Sequence, residues 1–248
     1  MLDRGLDQAA GLRRLVQPAP VRLWPLAVLP ATAARWIPWL AAGLNELGRR
    51  PVVVDAARGQ VAAGFGMLPR GDLLELLEGR ADFDRVAQRS REGIHVLRGD
   101  HGIEAFAGSG EPADRLLAAF GSLSHGFTDL LLAMPGPEIA CVAAPAAHVP
   151  VLTVDVSGRG VMGSYALIKQ LAGEFSYRRF ACIVTGAASE DEARAGLVRV
   201  QGAAQQFLRA QACWAGWMPP AGDERSAAEA GRAVQALLQL DTPAALAA

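Results

Sequence analysis

The chain has 248 residues, 51% of them hydrophobic, and its 24 Lys and Arg against 25 Asp and Glu leave a formal net charge of -1. That is enough apolar material for one large α/β domain or two small ones, and it excludes a disordered chain. A near-neutral balance without a basic block excludes a general nucleic-acid or anionic-membrane binder.

Leu2 to Val16 is a short amphipathic segment, with Leu2, Leu6, Ala9, Ala10, Leu12 and Leu15 apolar and Arg4, Asp7, Arg13 and Arg14 polar. Pro18 and Pro20 end it, and a helix this short orders only against a partner or the domain surface. We therefore divide the chain into an arm, residues 1–20, and one α/β domain, residues 21–248. The N-terminus is charged from Asp3 onward, so a signal peptide is not expected and a cytoplasmic location is.

Val21 to Leu29 reads as a strand, Pro30 to Ala34 as a turn, and Arg35 to Leu47 as an amphipathic helix stopped by Gly48. Trp36, Trp39, Leu40, Gly43, Leu44 and Leu47 share one face at helical spacing, and Pro51 to Asp55 is a second buried strand. Together they make a βαβ unit whose first turn is a possible phosphate cradle. Arg35, Asn45, Glu46 and three prolines rule the apolar stretch out as a transmembrane helix.

A glycine-rich loop follows from Arg58 to Gly66. Next come short helices over Leu73–Leu77 and Phe83–Ser90, a strand over Ile94–Leu97 and a helix over Pro112–Leu123. Thr128–Ala133 is a strand, and Met134-Pro135-Gly136-Pro137 opens an irregular or short helical piece. Strands are expected at Val149–Val154, Phe180–Val184 and Trp214–Met218, and helices at Arg159–Phe175, Ser189–Arg209 and Ser226–Leu240. Continuous apolar strands alternating with helices imply a parallel sheet buried on both faces.

Cys141, Cys182 and Cys213 have neither metal nor redox spacing and read as free thiols in a reducing cytosol. His95, His101, His125 and His148 are scattered, without HxH or HExxH spacing, so a metal site is not expected. Ser109, Ser157 and Ser164 lie near glycines but in no GxSxG elbow. Asp155 with Ser157 stands where open α/β sheets bind ligands, although a strand-end residue capping the next helix is the favoured reading. Trp36, Trp39, Trp214 and Trp217 are expected to fill the core or the sheet edge.

Several segments, in this order, resemble the MinD/ParA class of deviant Walker ATPases. They are Leu44 to Asp55, Gly71 to Gly79 followed by Ile94 to Gly99, Tyr165 to Lys169, and Arg179 to Val184. The resemblance covers most of the chain after Val21. It implies an α/β, P-loop NTPase-like fold of MinD/ParA type, a mostly parallel sheet with helices on both faces. The arm sequence Asp7-Gln8-Ala9-Ala10-Gly11-Leu12-Arg13 is similar to DQAxxLR of the FlhG (FleN) flagellar number regulators. In that family the arm binds the signal-recognition-type GTPase FlhF and stimulates GTP hydrolysis. The resemblance thus implies that Leu6, Asp7, Gln8, Ala9, Leu12 and Arg13 bind an FlhF-type partner. It also implies flagellar C-ring proteins or a flagellar transcription regulator as partners of the domain. The alternative for the same residues is an ordinary N-terminal helix packed on the domain.

The chain departs from the family where its chemistry resides. The family form KGGxGK[ST] needs glycines for an amide nest and a lysine for charge. The corresponding turn, Leu29-Pro30-Ala31-Thr32-Ala33-Ala34-Arg35, is shorter and has neither. Asp55 remains of the second-strand DxD motif, but Ala57 holds its later position. Ala133 stands for the switch aspartate, and Thr185 for the adenine-reading asparagine. Four losses in one site imply a pseudo-ATPase with no catalytic, cofactor or metal residue. The expectation is a regulator of flagellar number or placement that acts by binding. The rivals are an ATPase using a non-standard loop and a MinD-like accessory of another cell-envelope system. The family's basic membrane helix is not expected, since Ser226–Leu240 holds only Arg232 as a basic residue.

Overall fold

The apolar runs become strands of one sheet because nearly every residue in them is buried on both faces. The computed structural model describes residues 21–29, 32–158 and 160–240. The arm with Leu6, Asp7, Gln8, Ala9, Leu12 and Arg13 lies outside the described residues, as do Pro30, Ala31 and Arg159. The strands are β1 (Arg22–Val28), β2 (Pro51–Asp55), β3 (Gln88–Arg89), β4 (His95–Arg98), β5 (Asp129–Pro135), β6 (Val151–Asp155), β7 (Arg179–Thr185) and β8 (Gln211–Trp217). Their order across the sheet is β3-β4-β2-β5-β1-β6-β7-β8. Among the described residues only the β3–β4 pair is antiparallel. From β1 the chain first builds one half of the sheet and then the other, so the topological switch lies at β1.

The helices are α1 (Ala33–Glu46), α2 (Gln60–Gly64), α3 (Leu73–Leu77), α4 (Phe83–Val86), α5 (Asp100–Ser109), α6 (Ala113–Ser122), α7 (Gly160–Glu174), α8 (Glu190–Ala203) and α9 (Ser226–Leu240). Each face of the sheet has its own core. Trp24, Leu26 and Val28 point from β1 toward Trp36, Ile37, Leu40 and Leu44 of α1 and Val234 and Leu237 of α9. Leu23 and Ala27 join the opposite core with Leu73, Ile103, Phe120, Ile168 and Leu197. This alternation follows from the two-residue period of a strand. In α1 the buried stripe is Trp36, Ile37, Leu40, Ala41, Gly43 and Leu44. Leu47, expected on that face, is instead exposed past the helix end.

A polar clamp closes the amino ends of the central strands. Asp129 is fully buried at the start of β5. It accepts Nε1 of Trp24 at 2.7 Å and a bidentate pair from Arg49, Nε at 2.7 Å and Nη2 at 2.8 Å. The Thr128 hydroxyl also donates to it. Three elements meet on one carboxylate, which fixes how the α1–β2 connection sits against β1 and β5.

Four features differ from the sequence reading. The glycine-rich loop contains a helical turn, α2, because the Asp55 carboxylate accepts the N–H groups of Ala57 and Ala62 at 2.9 and 2.8 Å. The helix expected over Phe83–Ser90 stops at Val86, and β3 follows because the Ser90 amide donates to the Ile94 carbonyl in a hairpin with β4. The helix α5, which is not among the expected elements, starts where Asp72 Oδ1 accepts both Leu74 N (2.9 Å) and Gly102 N (2.8 Å), serving the first turns of α3 and α5 together. The helix expected to run to Arg209 is α-helical to Ala203 and closes in a π-helical turn, Ala204–Leu208.

Candidate functional site

Ligands of open α/β sheets bind outside the carboxyl ends of the strands, near the switch. Here that place begins with the turn from β1 to α1. The Leu29 carbonyl accepts the N–H of Thr32 at 3.1 Å and that of Ala33 at 3.3 Å, and the Thr32 carbonyl accepts Arg35 N at 3.1 Å. Among the described residues of the turn, the amides of Thr32 and Ala33 thus point at Leu29 and not at a shared anion position. The Thr32 hydroxyl sits 3.0 Å from that of Thr153 on β6, and Arg35 is exposed.

α2 covers the first turn of α1. Pro38 lacks the N–H that would bond the Ala34 carbonyl four residues back, and the backbone of Gly64 packs there. A Cβ at Gly64 would overlap the Ala34 carbonyl oxygen, so only glycine fits this approach.

Asp55, at the end of β2, is fully buried and engaged by the amides of Ala57 and Ala62. Burial raises its pKa above the ordinary carboxylate value; the charge of Asp100 adds to this, and the amides oppose it. Its carboxylate organises the β2–α2 connection. Ala133 lies on β5 opposite Leu26 of β1 and Asp55 of β2. Thr185 ends β7 with its hydroxyl buried and without a hydrogen-bond partner. Asp155 Oδ1 accepts the amide of Ser157 at 2.9 Å and its hydroxyl at 2.5 Å, so this oxygen closes a local turn ahead of α7.

A cleft of about 680 Å³ opens at the carboxyl ends of β2, β4 and β5. Arg58, Arg98, Asp100, Glu104 and Glu138 face it. Arg58 has a left-handed backbone, φ 57°, secured by its N–H donating to Asp100 Oδ1 at 2.9 Å. Arg98 reaches the other oxygen of Asp100 at 3.4 Å. Burial raises the pKa of Glu138, with Asp100 and Glu104 adding to it and Arg58 opposing. Three carboxylates beside two guanidinium groups suit a polar segment of mixed charge better than a polyphosphate, which the carboxylates repel. The sequence reading missed this cleft. Its signal was Arg98-Gly99-Asp100-His101, charged residues directly after an apolar strand.

Of the four histidines, the fold brings His95 and His125 together beside Asp84, while His101 lines the cleft. Trp36 is fully buried in the core under α1. Trp39 donates Nε1 to the Ser226 carbonyl at 2.9 Å and so ties α1 to the start of α9. Among the described residues no helix is long and apolar enough to cross a membrane.

No protein-family model matches the sequence, and no curated protein matches it. The fold has close counterparts among solved structures. Cobyrinic acid a,c-diamide synthase from Mycobacterium smegmatis, with bound ADP and magnesium, superposes with a TM-score of 0.61 at 19% identity over 88% of this chain and 94% of that one. The MinD cell division protein of Aquifex aeolicus gives 0.55 at 14% identity over 91% and 92%. A plasmid partition protein from Borrelia burgdorferi gives 0.56 at 9% identity over 90% and 99%. At these identities the likeness is one of fold, and the fold is that of the MinD/ParA-type P-loop NTPases.

Proposed function

We propose that this MinD/ParA-fold chain acts by binding other proteins and does not itself hydrolyse ATP. The observation that carries the reading is the first turn: the Leu29 carbonyl takes the amides that would meet a phosphate, and the turn holds neither lysine nor glycine. The capture of Asp55 by its own loop and the alanines at 57 and 133 support it, because developing charge in phosphoryl transfer then meets no cation or metal ligand. Titration of the full chain with ATP and Mg²⁺ tests this. No binding is expected up to millimolar nucleotide; micromolar affinity overturns the reading.

Within that reading the protein is an FlhG-like regulator of flagellar number or placement, located in the cytoplasm. Its arm residues Leu6, Asp7, Gln8, Ala9, Leu12 and Arg13 engage an FlhF-type GTPase, and Gln8 presents an amide to the catalytic water or a catalytic side chain. The domain meets flagellar C-ring proteins or a transcription regulator. Support comes from the DQAxxLR-like sequence ahead of a domain of the expected fold. Addition of the chain should accelerate GTP hydrolysis by an FlhF-type partner, and Gln8→Ala should remove the acceleration. Hydrolysis that the wild-type chain leaves unchanged rules out the activator role.

A further inference from the structure

The opposite edge of the sheet, at the amino ends of the strands, carries a cluster that the reading above does not use. Asp84 comes from α4, His95 opens β4, and His125 sits in the connection between α6 and β5. One ligand atom from each lies within 4.8 Å of the other two. His125 Nε2 stands 2.8 Å from Asp84 Oδ1, and the two imidazole centroids are 5.1 Å apart at 77°. Aromatic side chains flank both rings. Phe127 stacks on His125 with planes 1° apart, and Phe83 packs 5.6 Å from His95 and 4.7 Å from His125. His125 Nδ1 is buried and has no hydrogen-bond partner. On its open side the cluster faces a cavity of about 720 Å³ lined by Arg50, Arg89 and Glu92 among others.

We propose that Asp84, His95 and His125 form a binding site for a divalent metal ion of borderline softness, with Zn²⁺ the best fit, whose fourth position opens to this cavity. Two imidazole nitrogens and one carboxylate oxygen are the donor set of open zinc sites, whereas Mg²⁺ and Ca²⁺ prefer oxygen alone. Metal–ligand bonds of about 2.0–2.2 Å put tetrahedral ligand atoms roughly 3.3–3.6 Å apart. Separations of up to 4.8 Å therefore have to close by as much as about 1.2–1.5 Å, while the 2.8 Å between His125 Nε2 and Asp84 Oδ1 has to open. The Asp84 side chain, 80% exposed, has the freedom to make its part of that movement, and the remainder falls to the imidazole rings. Arg89 is the opposing charge nearby, and its Nε is occupied by the Gly93 carbonyl at 3.3 Å. A bound ion would join three segments that are distant in sequence, stiffening the β3–β4 edge, and leave one coordination position for water or an incoming donor.

The test uses the full untagged chain, stripped with chelator and titrated calorimetrically with Zn²⁺ alone. The expected result is one equivalent bound at micromolar or tighter affinity, with the thermal midpoint raised by about 5–10 °C at a hundredfold excess over Kd. Co²⁺ in place of Zn²⁺ should give visible bands of a four- or five-coordinate ion. His95→Ala and His125→Gln should each weaken binding at least tenfold and abolish those bands. Absence of binding at millimolar Zn²⁺ overturns the proposal. So does undiminished binding in the folded double variant His95→Ala/His125→Gln. Asp84→Asn, on an exposed side chain, covers the case in which the histidine variants fail to fold; unaltered affinity there removes the carboxylate from the site and refutes the donor set.

Discussion

Replacing Asp129 by alanine should cost more stability than any other single polar substitution among those considered below. The carboxylate is fully buried and receives Trp24 Nε1, two Arg49 nitrogens and the Thr128 hydroxyl. Truncation strands the Trp24 N–H on a residue that is 2% exposed, and it leaves the Arg49 guanidinium without its anion. Breaking a buried ion pair from one side typically costs about 3–5 kcal/mol. Arg49 keeps 28% of its side-chain surface in water, which relieves part of its charge. The expected loss therefore lies at the lower end, about 3 kcal/mol. For a chain of this size that lowers the thermal midpoint by roughly 6–12 °C. Urea unfolding followed by circular dichroism measures it, with an unchanged m-value required for the comparison. Asp129→Asn keeps the volume and one acceptor, so it should fall between wild type and Asp129→Ala. A loss below about 1 kcal/mol for the alanine variant, the cost of one ordinary hydrogen bond, would refute the clamp as an organising interaction.

Asp72→Ala removes the N-terminal partner of both α3 and α5 and should cost about 2–3 kcal/mol, twice a typical cap; Asp72→Asn should recover most of it in the same urea assay. Asp55 gives a pH signature. Its folded pKa lies above the ordinary 3.8, so between those values the native state holds the proton more tightly than the unfolded chain does. Its contribution to stability is therefore most favourable at acid pH and declines as pH rises through that window. The urea midpoint of wild type minus that of Asp55→Asn should fall from about pH 4 toward neutrality. A rise would mean that the amides of Ala57 and Ala62 outweigh burial.

The elements that sequence inspection recovers are those whose signal is local. Val52-Val53-Val54 and Leu130-Leu131-Leu132 have no reading but strand, and the α1 stripe repeats every three to four residues. The missed features are held by distant partners. α5 contains Gly102 and Gly108, which weaken any helical pattern; its start depends on Asp72, and Gly102 is required because a Cβ there would press on Leu73. The tryptophans of β8 illustrate a register effect. A bulge at Ala215–Gly216 pairs Trp214 with Cys182 and Trp217 with Val184, so residues three apart face the same side. Strict alternation would have separated them. The absence of glycine and lysine between Leu29 and Arg35, on which the proposed loss of nucleotide chemistry rests, is visible as letters. The Asp84–His95–His125 cluster was not, since its spacing carries meaning only after the β3–β4 hairpin and the entry to β5 are in place.

The way Leu29 captures two amides limits what redesign of this turn can achieve. Reaching a turn of the GxxxxGK[ST] type from this one requires added residues between β1 and α1, since no exchange of side chains lengthens a backbone. Any such insertion would meet the α2 turn already seated on Ala34, so it would also have to dislodge Gly64. Two structural barriers thus stand in series against building a phosphate loop here by point mutation. Side-chain exchange alone therefore leaves the β1–α1 connection in its present form, and a phosphate loop could be installed here only by rebuilding backbone on two elements at once.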